Sequence, residues 1–274
     1  MNYQEIQPGA LLQPYVQHYY LFESAEQLEM DDIVLPGGHL EIIFNLGDAT
    51  WKTAPDKVFK DTAKIELWGQ ITAPLAVRTI GSNNKMLGIK FYPHTAARFL
   101  QLDIFELNNQ VNDTTAILGK DIQELHQQLL ESASLQQQIT LIEKYLAARL
   151  DQVKAKPQQM ALVGNILQQL KTTSGTADTS IEHIARQHNL STRYLHKLFM
   201  QYTGATPKYF DRLHRFRQSL SLIQQQELSL TEIGYEAGYF DQSHFIREFK
   251  SFTGLAPHSY AAKSSPLQET IDLR

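Results

Sequence analysis

Cysteine is absent from the 274 residues. That excludes disulfides, thiolate metal sites and a cysteine nucleophile, and it is what a reducing compartment permits. No run of about 18 apolar residues occurs, so no membrane span is expected. The opening stretch, MNYQEIQPGALLQPY, lacks the basic and apolar regions of a secretory signal, which makes the cytoplasm the expected location. An excess of positive charge is also missing, since the formal net charge is −4. The balance is uneven: residues 1–157 carry 13 Lys+Arg against 19 Asp+Glu, whereas residues 158–262 carry 10 against 8 and hold six of the ten histidines. Composition alone does not make the rear basic enough to announce nucleic-acid binding. The front part shows no Gly-rich phosphate loop, no Ser-His-Asp set and no convincing carboxylate pair, so neither an enzyme nor a cofactor is expected.

At roughly 150 residues per domain the length suggests two domains. The first 110 residues read as mostly strand. Ile33-Val34-Leu35, a Pro-Gly-Gly turn and Leu40–Leu46 read as a hairpin. Further short apolar runs lie at Ile65–Trp68, Leu75–Ile80 and Met86–Phe91, a spacing that suits a small sheet, sandwich or barrel. Pro93 opens a short helix, His94–Leu100. From Asp121 to Leu150 the apolar spacing becomes helical, with Leu125, Leu129 and Leu130 and then Ile139, Ile142, Leu146 and Leu150. Two helices joined around Ser132–Ser134 make a hairpin. DQVKAKPQQ reads as the linker, and a helix over Met160–Leu170 follows.

From Thr179 the chain repeats itself. Leu195, Phe199, Gly204, Pro207 and Phe210 return fifty positions later as Phe245, Phe249, Gly254, Pro257 and Tyr260, and Lys197 returns as Arg247. Thr179-Ser-Ile-Glu182 and Ser229-Leu-Thr-Glu232 both read as capping boxes. Ser191 and Asp241 read as N-caps of a second helix in each copy. Ile184-Ala185 aligns with Ile233-Gly234, a slip of one residue assigned to the inner turn. Each copy is therefore a helix-turn-helix unit. The outer face of the second helix carries Thr192, Arg193, His196 and Lys197 in one copy, and Gln242, Ser243, Ile246, Arg247 and Lys250 in the other. Such side chains donate to base edges and phosphates in a major groove. A long helix from Pro207 to about Gln224 joins the copies.

Residues 179–262 resemble the DNA-binding domain of the AraC/XylS transcription regulators, on IARQHNLSTRYLHKLFMQYTGATPKYF and EIGYEAGYFDQSHFIREFKSFTGLAPHSY. Two departures stand out: Lys197 where the family usually has arginine, and Ser219 where it usually has alanine. The resemblance implies seven helices, with the joining helix holding two units whose second helices enter successive major-groove segments about 34 Å apart. It carries DNA contact to Arg193, His196 and Lys197 in the first unit and to Gln242, Ser243 and Arg247 in the second. Lys250, Ser191 and Asp241 are assigned to phosphates or to holding the helices. Residues 10–110 resemble a sensor-type domain of some AraC-like regulators, from which no ligand residue is carried over. The expected architecture is α+β: residues 1–157, mainly β with a helical hairpin, as a sensor and dimerisation domain; residues 158–262, all α, as the DNA-binding domain; residues 263–274 as a tail. The expected partners are double-stranded DNA and an unidentified small-molecule effector, with RNA polymerase and a second copy of the chain as candidates. A front domain that binds a protein, and an enzyme domain targeted to DNA, are the alternatives. No cysteine is present for an alkyl-transfer version of the latter.

Several residues have competing readings. His39 and Glu41 share a strand face, but a metal site needs further ligands, so a surface pair beside a turn is the better account and no metal is expected. His94 reads as a helix-start residue. Trp51 and Trp68 can stack on an effector or fill the core. The leucine stripe of residues 125–150 serves either a dimer seam or packing within the domain. Arg212, Arg215 and Arg217 either touch phosphate or form a solvated helix face, the commoner case.

Overall fold

The computed structural model describes residues 2–25, 28–152, 157–173 and 180–261. It is α+β, as expected. The front part holds strands β1 Asn2–Ile6, β2 Val16–Ser24, β3 Leu28–Val34, β4 Glu41–Asn45, β5 Thr50–Thr53, β6 Lys60–Asp61, β7 Ile65–Trp68, β8 Leu75–Gly81 and β9 Asn84–Phe91. Helix α1 Ala97–Leu100, a 3-10 turn at Ile104–Leu107, strand β10 Val111–Asp113 and helices α2 Thr114–Leu118, α3 Lys120–Glu131 and α4 Leu135–Gln152 complete it. One sheet runs β1-β2-β9-β4-β7-β10 and the other β3-β8-β5-β6, with every pairing antiparallel.

Side chains alternate across a strand, and the six-stranded sheet buries both faces. Tyr20, Phe22, Ile43, Trp68 and Met86 meet Trp51, Leu75 and Val77 of the second sheet. Tyr19, Ile42, Phe44, Leu87, Ile89 and Phe91 face the helices instead. That double burial explains why EIIF and IELW read as unbroken apolar runs. Leu125, Leu129, Ile139, Ile142, Leu146 and Leu150 all enter this same core. Of the two readings of the leucine stripe, the structure therefore uses these six for packing within the chain, while Leu130 is left 47% exposed.

The expected hairpin across Pro36-Gly37-Gly38 does not form. β3 pairs with β8 and β4 with β7 and β9, so the chain crosses from one sheet to the other there. The crossing serves the rear half: Leu35 enters the helical core. Gly38, at φ 78°, lies so close to Leu213 that a Cβ would sit 2.6 Å from its Cδ2. The helix expected over His94–Leu100 starts only at Ala97, after turns over residues 93–96.

Among the described residues, seven helices form the rear: α5 Pro157–Thr173, α6 Ile181–Gln187, α7 Thr192–Thr203, α8 Pro207–Gln225, α9 Leu230–Glu236, α10 Gln242–Thr253 and α11 Pro257–Ala261. Thr179, residues 153–156 of the expected linker and the tail lie outside the described residues. α8 carries the core, burying Phe210, Leu213, Phe216, Ser219 and Ile223. Ser219 is fully buried and its Oγ donates to the Phe216 carbonyl at 2.7 Å, which accommodates a hydroxyl where the family usually has a methyl.

His94 and His214 line the groove where the β-rich part meets α5 and α8. Burial holds both far below the ordinary value, at about 4 each, with Lys171 and Arg217 adding to the effect at His214. Both are uncharged in the fold, whereas in the unfolded chain each takes a proton below about 6.5. The unfolded state then binds more protons, so stability falls as pH drops from about 6.5 to 4. Melting curves should show that fall, and His94→Gln/His214→Gln should lose less across the same window. Superimposable profiles for the two proteins would contradict this.

Candidate nucleic-acid interface

Each recognition-type helix starts at a side-chain cap. Ser191 Oγ accepts from the Tyr194 N–H at 3.2 Å, and Asp241 Oδ1 accepts from the His244 N–H at 2.7 Å. Both helices run twelve residues and end at a left-handed glycine, Gly204 at φ 74° and Gly254 at φ 77°. Their last turns repeat bond for bond. Thr203 Oγ1 donates to the Phe199 carbonyl and accepts from the Ala205 N–H, as Thr253 Oγ1 does with Phe249 and Leu255. Ser191 and Asp241 thus hold their helices, one of their two expected roles.

The first helices correct the sequence reading. α9 has the full capping box of Ser229 and Glu232, but α6 is capped by Ser180, which accepts from the His183 N–H at 3.3 Å. Ser180 and Ser229 are 49 apart, the same offset as Ile184 and Ile233. The left-handed turn residues Asn189 (φ 54°) and Gly238 (φ 78°) keep that offset. Leu190 N–H to Ala185 carbonyl and Tyr239 N–H to Gly234 carbonyl keep it too, at 2.8 and 3.0 Å. The slip therefore belongs to the whole first helix, and the extra residue of the second unit is Phe240, which is 86% exposed immediately before the Asp241 cap.

Of the residues expected to meet DNA, Arg193, Lys197, Gln242, Ser243, Arg247 and Lys250 are exposed, while Thr192 and His196 are half-buried. The front half leaves these faces uncovered. It grips the end of α7 instead, where Asn108 Nδ2 donates to the Gly204 carbonyl at 2.6 Å. Leu195, Leu198 and Phe199 hold the inner face of α7, and Phe245, Phe249 and Phe252 that of α10. α8 touches both. Phe210 meets Phe199 at 6.1 Å between centroids, and Phe216 meets Phe249 at 5.4 Å and stacks on Phe252 at 4.7 Å.

The cations divide into two sets. Arg193, Lys197, Arg247 and Lys250 have no carboxylate partner among the described residues. Arg212 and Arg215 of α8 are tied down by carboxylates, which corrects their reading as a solvated helix face, whereas Arg217 stays exposed. Arg212 Nε donates to Glu248 Oε2 at 2.9 Å and its Nη2 to Ser251 Oγ at 3.0 Å. Arg215, nearly buried, pairs with Asp211 at 2.6 Å and Glu248 at 3.4 Å. Arg217 Nη1 donates to the Gly37 carbonyl at 2.8 Å. Sequence reasoning missed Phe240, Tyr235 (67% exposed) and the role of Glu248. The one-residue slip was the signal available for Phe240.

Comparison with known proteins decides the type of unit. The family described as "Helix-turn-helix domain" matches residues 184–263. The C-terminal helices are an AraC-type helix-turn-helix domain. Residues 4–113 match a family described as "Domain of unknown function (DUF6597)". The transcriptional regulator YidL of Escherichia coli K12 is 37% identical over 78 residues, 28% of this chain and 26% of that protein. The transcriptional activator RhaS of Escherichia coli O139:H28 is 40% identical over 68 residues, 24% of each. The chain thus matches about a quarter of the length of these curated relatives. Among solved structures, ToxT from Vibrio cholerae has a TM-score of 0.48 and 13% identity over 89% of this chain and 98% of that one.

Within the AraC-type domain, Glu248→Ala leaves the nearly buried Arg215 guanidinium short of its second carboxylate. Breaking a buried pair from one side costs about 3–5 kcal/mol. A lowered melting temperature is expected, with Glu248→Gln retaining part of the loss. An unchanged melting temperature for Glu248→Ala would show that the clasp does not hold α10 on α8.

Proposed function

We propose that this chain is a sequence-specific, double-stranded-DNA-binding transcriptional regulator whose β-rich front half responds to a small-molecule effector. The observation that carries the DNA-binding reading is the pair of capped twelve-residue helices with unpaired exposed cations, held on one aromatic-packed helix. In this reading residues 158–262 form the DNA-binding unit. Arg193, His196 and Lys197 of α7 and Gln242, Ser243 and Arg247 of α10 read base edges, and Lys250 meets phosphate. Phe240, beside the first turn of α10, adds an apolar contact of the kind that meets thymine methyls.

The effector reading rests on how the halves touch. Leu35, Gly37 and Ile71 line a cavity inside the β-rich part. The same short segments meet the rear half. Leu35 enters its core, Arg217 donates to the Gly37 carbonyl, and Tyr209 Oη donates to the Ile71 carbonyl at 3.3 Å. A ligand that moves this wall moves the seat of α8, which carries both recognition helices. A second copy of the chain would have to dock elsewhere than on the six buried positions of the leucine stripe.

Oligonucleotides selected from a random pool by the full chain test the reading, because they report recognition and half-site number together. Affinity for the selected site should fall steeply as salt rises, since phosphate contacts release counterions. Arg247→Ala should cost about 1–3 kcal/mol on the selected site and little on random DNA, whereas Lys250→Ala should weaken both alike. A pool that never converges, or affinity flat between low and physiological salt, would contradict the proposal.

A further inference from the structure

The cavity between the two sheets has a volume of about 100 Å3. An apolar void of roughly 150 Å3 takes benzene, so the occupant is smaller than that or reaches out of the cavity. The lining is unusual in its charge. Three carboxylates, Asp32, Glu41 and Glu66, contribute to it, and no lysine or arginine does. Tyr20, Trp51 and Trp68 form much of the apolar wall.

The carboxylates differ in their partners. Burial disfavours the charge of Glu41, but Lys90, at 3.7 Å, and His39, at 2.7 Å, outweigh it and pull the carboxyl down to about 2. Tyr20 Oη also donates to Glu41 at 2.7 Å. His39 and Glu41 are therefore a nearly buried pair at the cavity rather than the surface pair read from sequence, and no cluster of three metal-type ligands occurs among the described residues. Glu66 has no cation partner among the described residues. It is 2% exposed and accepts from Asn45 Nδ2, Thr62 Oγ1 and Trp68 Nε1, each at 2.6 Å. Three donors hold it as an acceptor, and burial pushes its carboxyl above the usual range. A buried carboxylate without a countercharge is costly. Aromatic walls favour a cation, which is drawn to the ring faces.

We propose that this cavity binds a small organic ammonium ion, with Glu66 as its countercharge and Tyr20, Trp51 and Trp68 as its aromatic wall. The inference rests on the effector reading and supplies its ligand class. The groove outside the cavity, lined by Lys171 and Arg217 with no carboxylate, has the opposite preference.

Three probes of similar shape and different charge test it on the full chain: choline, neutral 3,3-dimethylbutan-1-ol and anionic 3,3-dimethylbutanoate, with tetramethylammonium as a second cation. The ammonium ions should raise the melting temperature and change tryptophan fluorescence, and the other two should not. Glu66→Gln and Trp51→Leu should each weaken cation binding tenfold or more; Trp51→Leu serves if Glu66→Gln does not fold. Equal binding of choline and the alcohol, or no shift with either ammonium ion, overturns the proposal. Anisotropy of a selected DNA site in the same samples separates the two readings. If choline binds and DNA affinity does not change, the ligand class stands and the effector role falls. If only the neutral or anionic probe binds and shifts DNA affinity, the effector role stands and the ligand class falls.

Discussion

Glu248 is buried on α10 and finds its countercharge on α8. The requirement is mutual, because Arg215 is itself nearly buried and stays so by facing Asp211 and Glu248. Together with the stacking of Phe216 on Phe252, this fixes α10 on α8 in one register. The first unit solves the same problem without charge. Leu198 stands fifty positions before Glu248, and Phe199 packs on Phe210. One helix therefore sets the placement of both α7 and α10. Interiors this closely packed transmit displacement rather than absorb it, so whatever moves α8 moves both.

The helical half was legible because its signals are local. Caps, left-handed glycines and apolar spacing act within a few residues, and the repeat showed each of them twice. Where the reading slipped, the error was also local. Thr179 was taken as the cap because it stands three residues before Glu182 and fifty before Ser229, whereas it is Ser180 Oγ that accepts from the His183 N–H. Arg212 and Arg215 were misread because their shared partner Glu248 lies on α10, 36 and 33 residues away. Ion pairs at that range leave no periodic trace in a sequence.

The front half was legible as strands and not as topology. The runs at Ile65–Trp68, Leu75–Ile80 and Met86–Phe91 fall on β7, β8 and β9. The turn at Pro36-Gly37-Gly38 looked like a hairpin because Pro and Gly mark any sharp change of direction. Here the change carries the chain between sheets and against α8. Glu66 was overlooked because a charged residue in a half-buried strand ordinarily faces water. Its isolation shows only when Asn45, Thr62 and Trp68 converge on it from three places in the chain.

Hydroxyl-radical footprinting of the full chain on a selected DNA site tests the central claim most directly, namely that α8 delivers both recognition helices to one duplex together. Two helices in successive major-groove segments should protect two patches on one face of the DNA, about one helical turn or 34 Å apart. A single protected patch, or two patches on opposite faces, would contradict it.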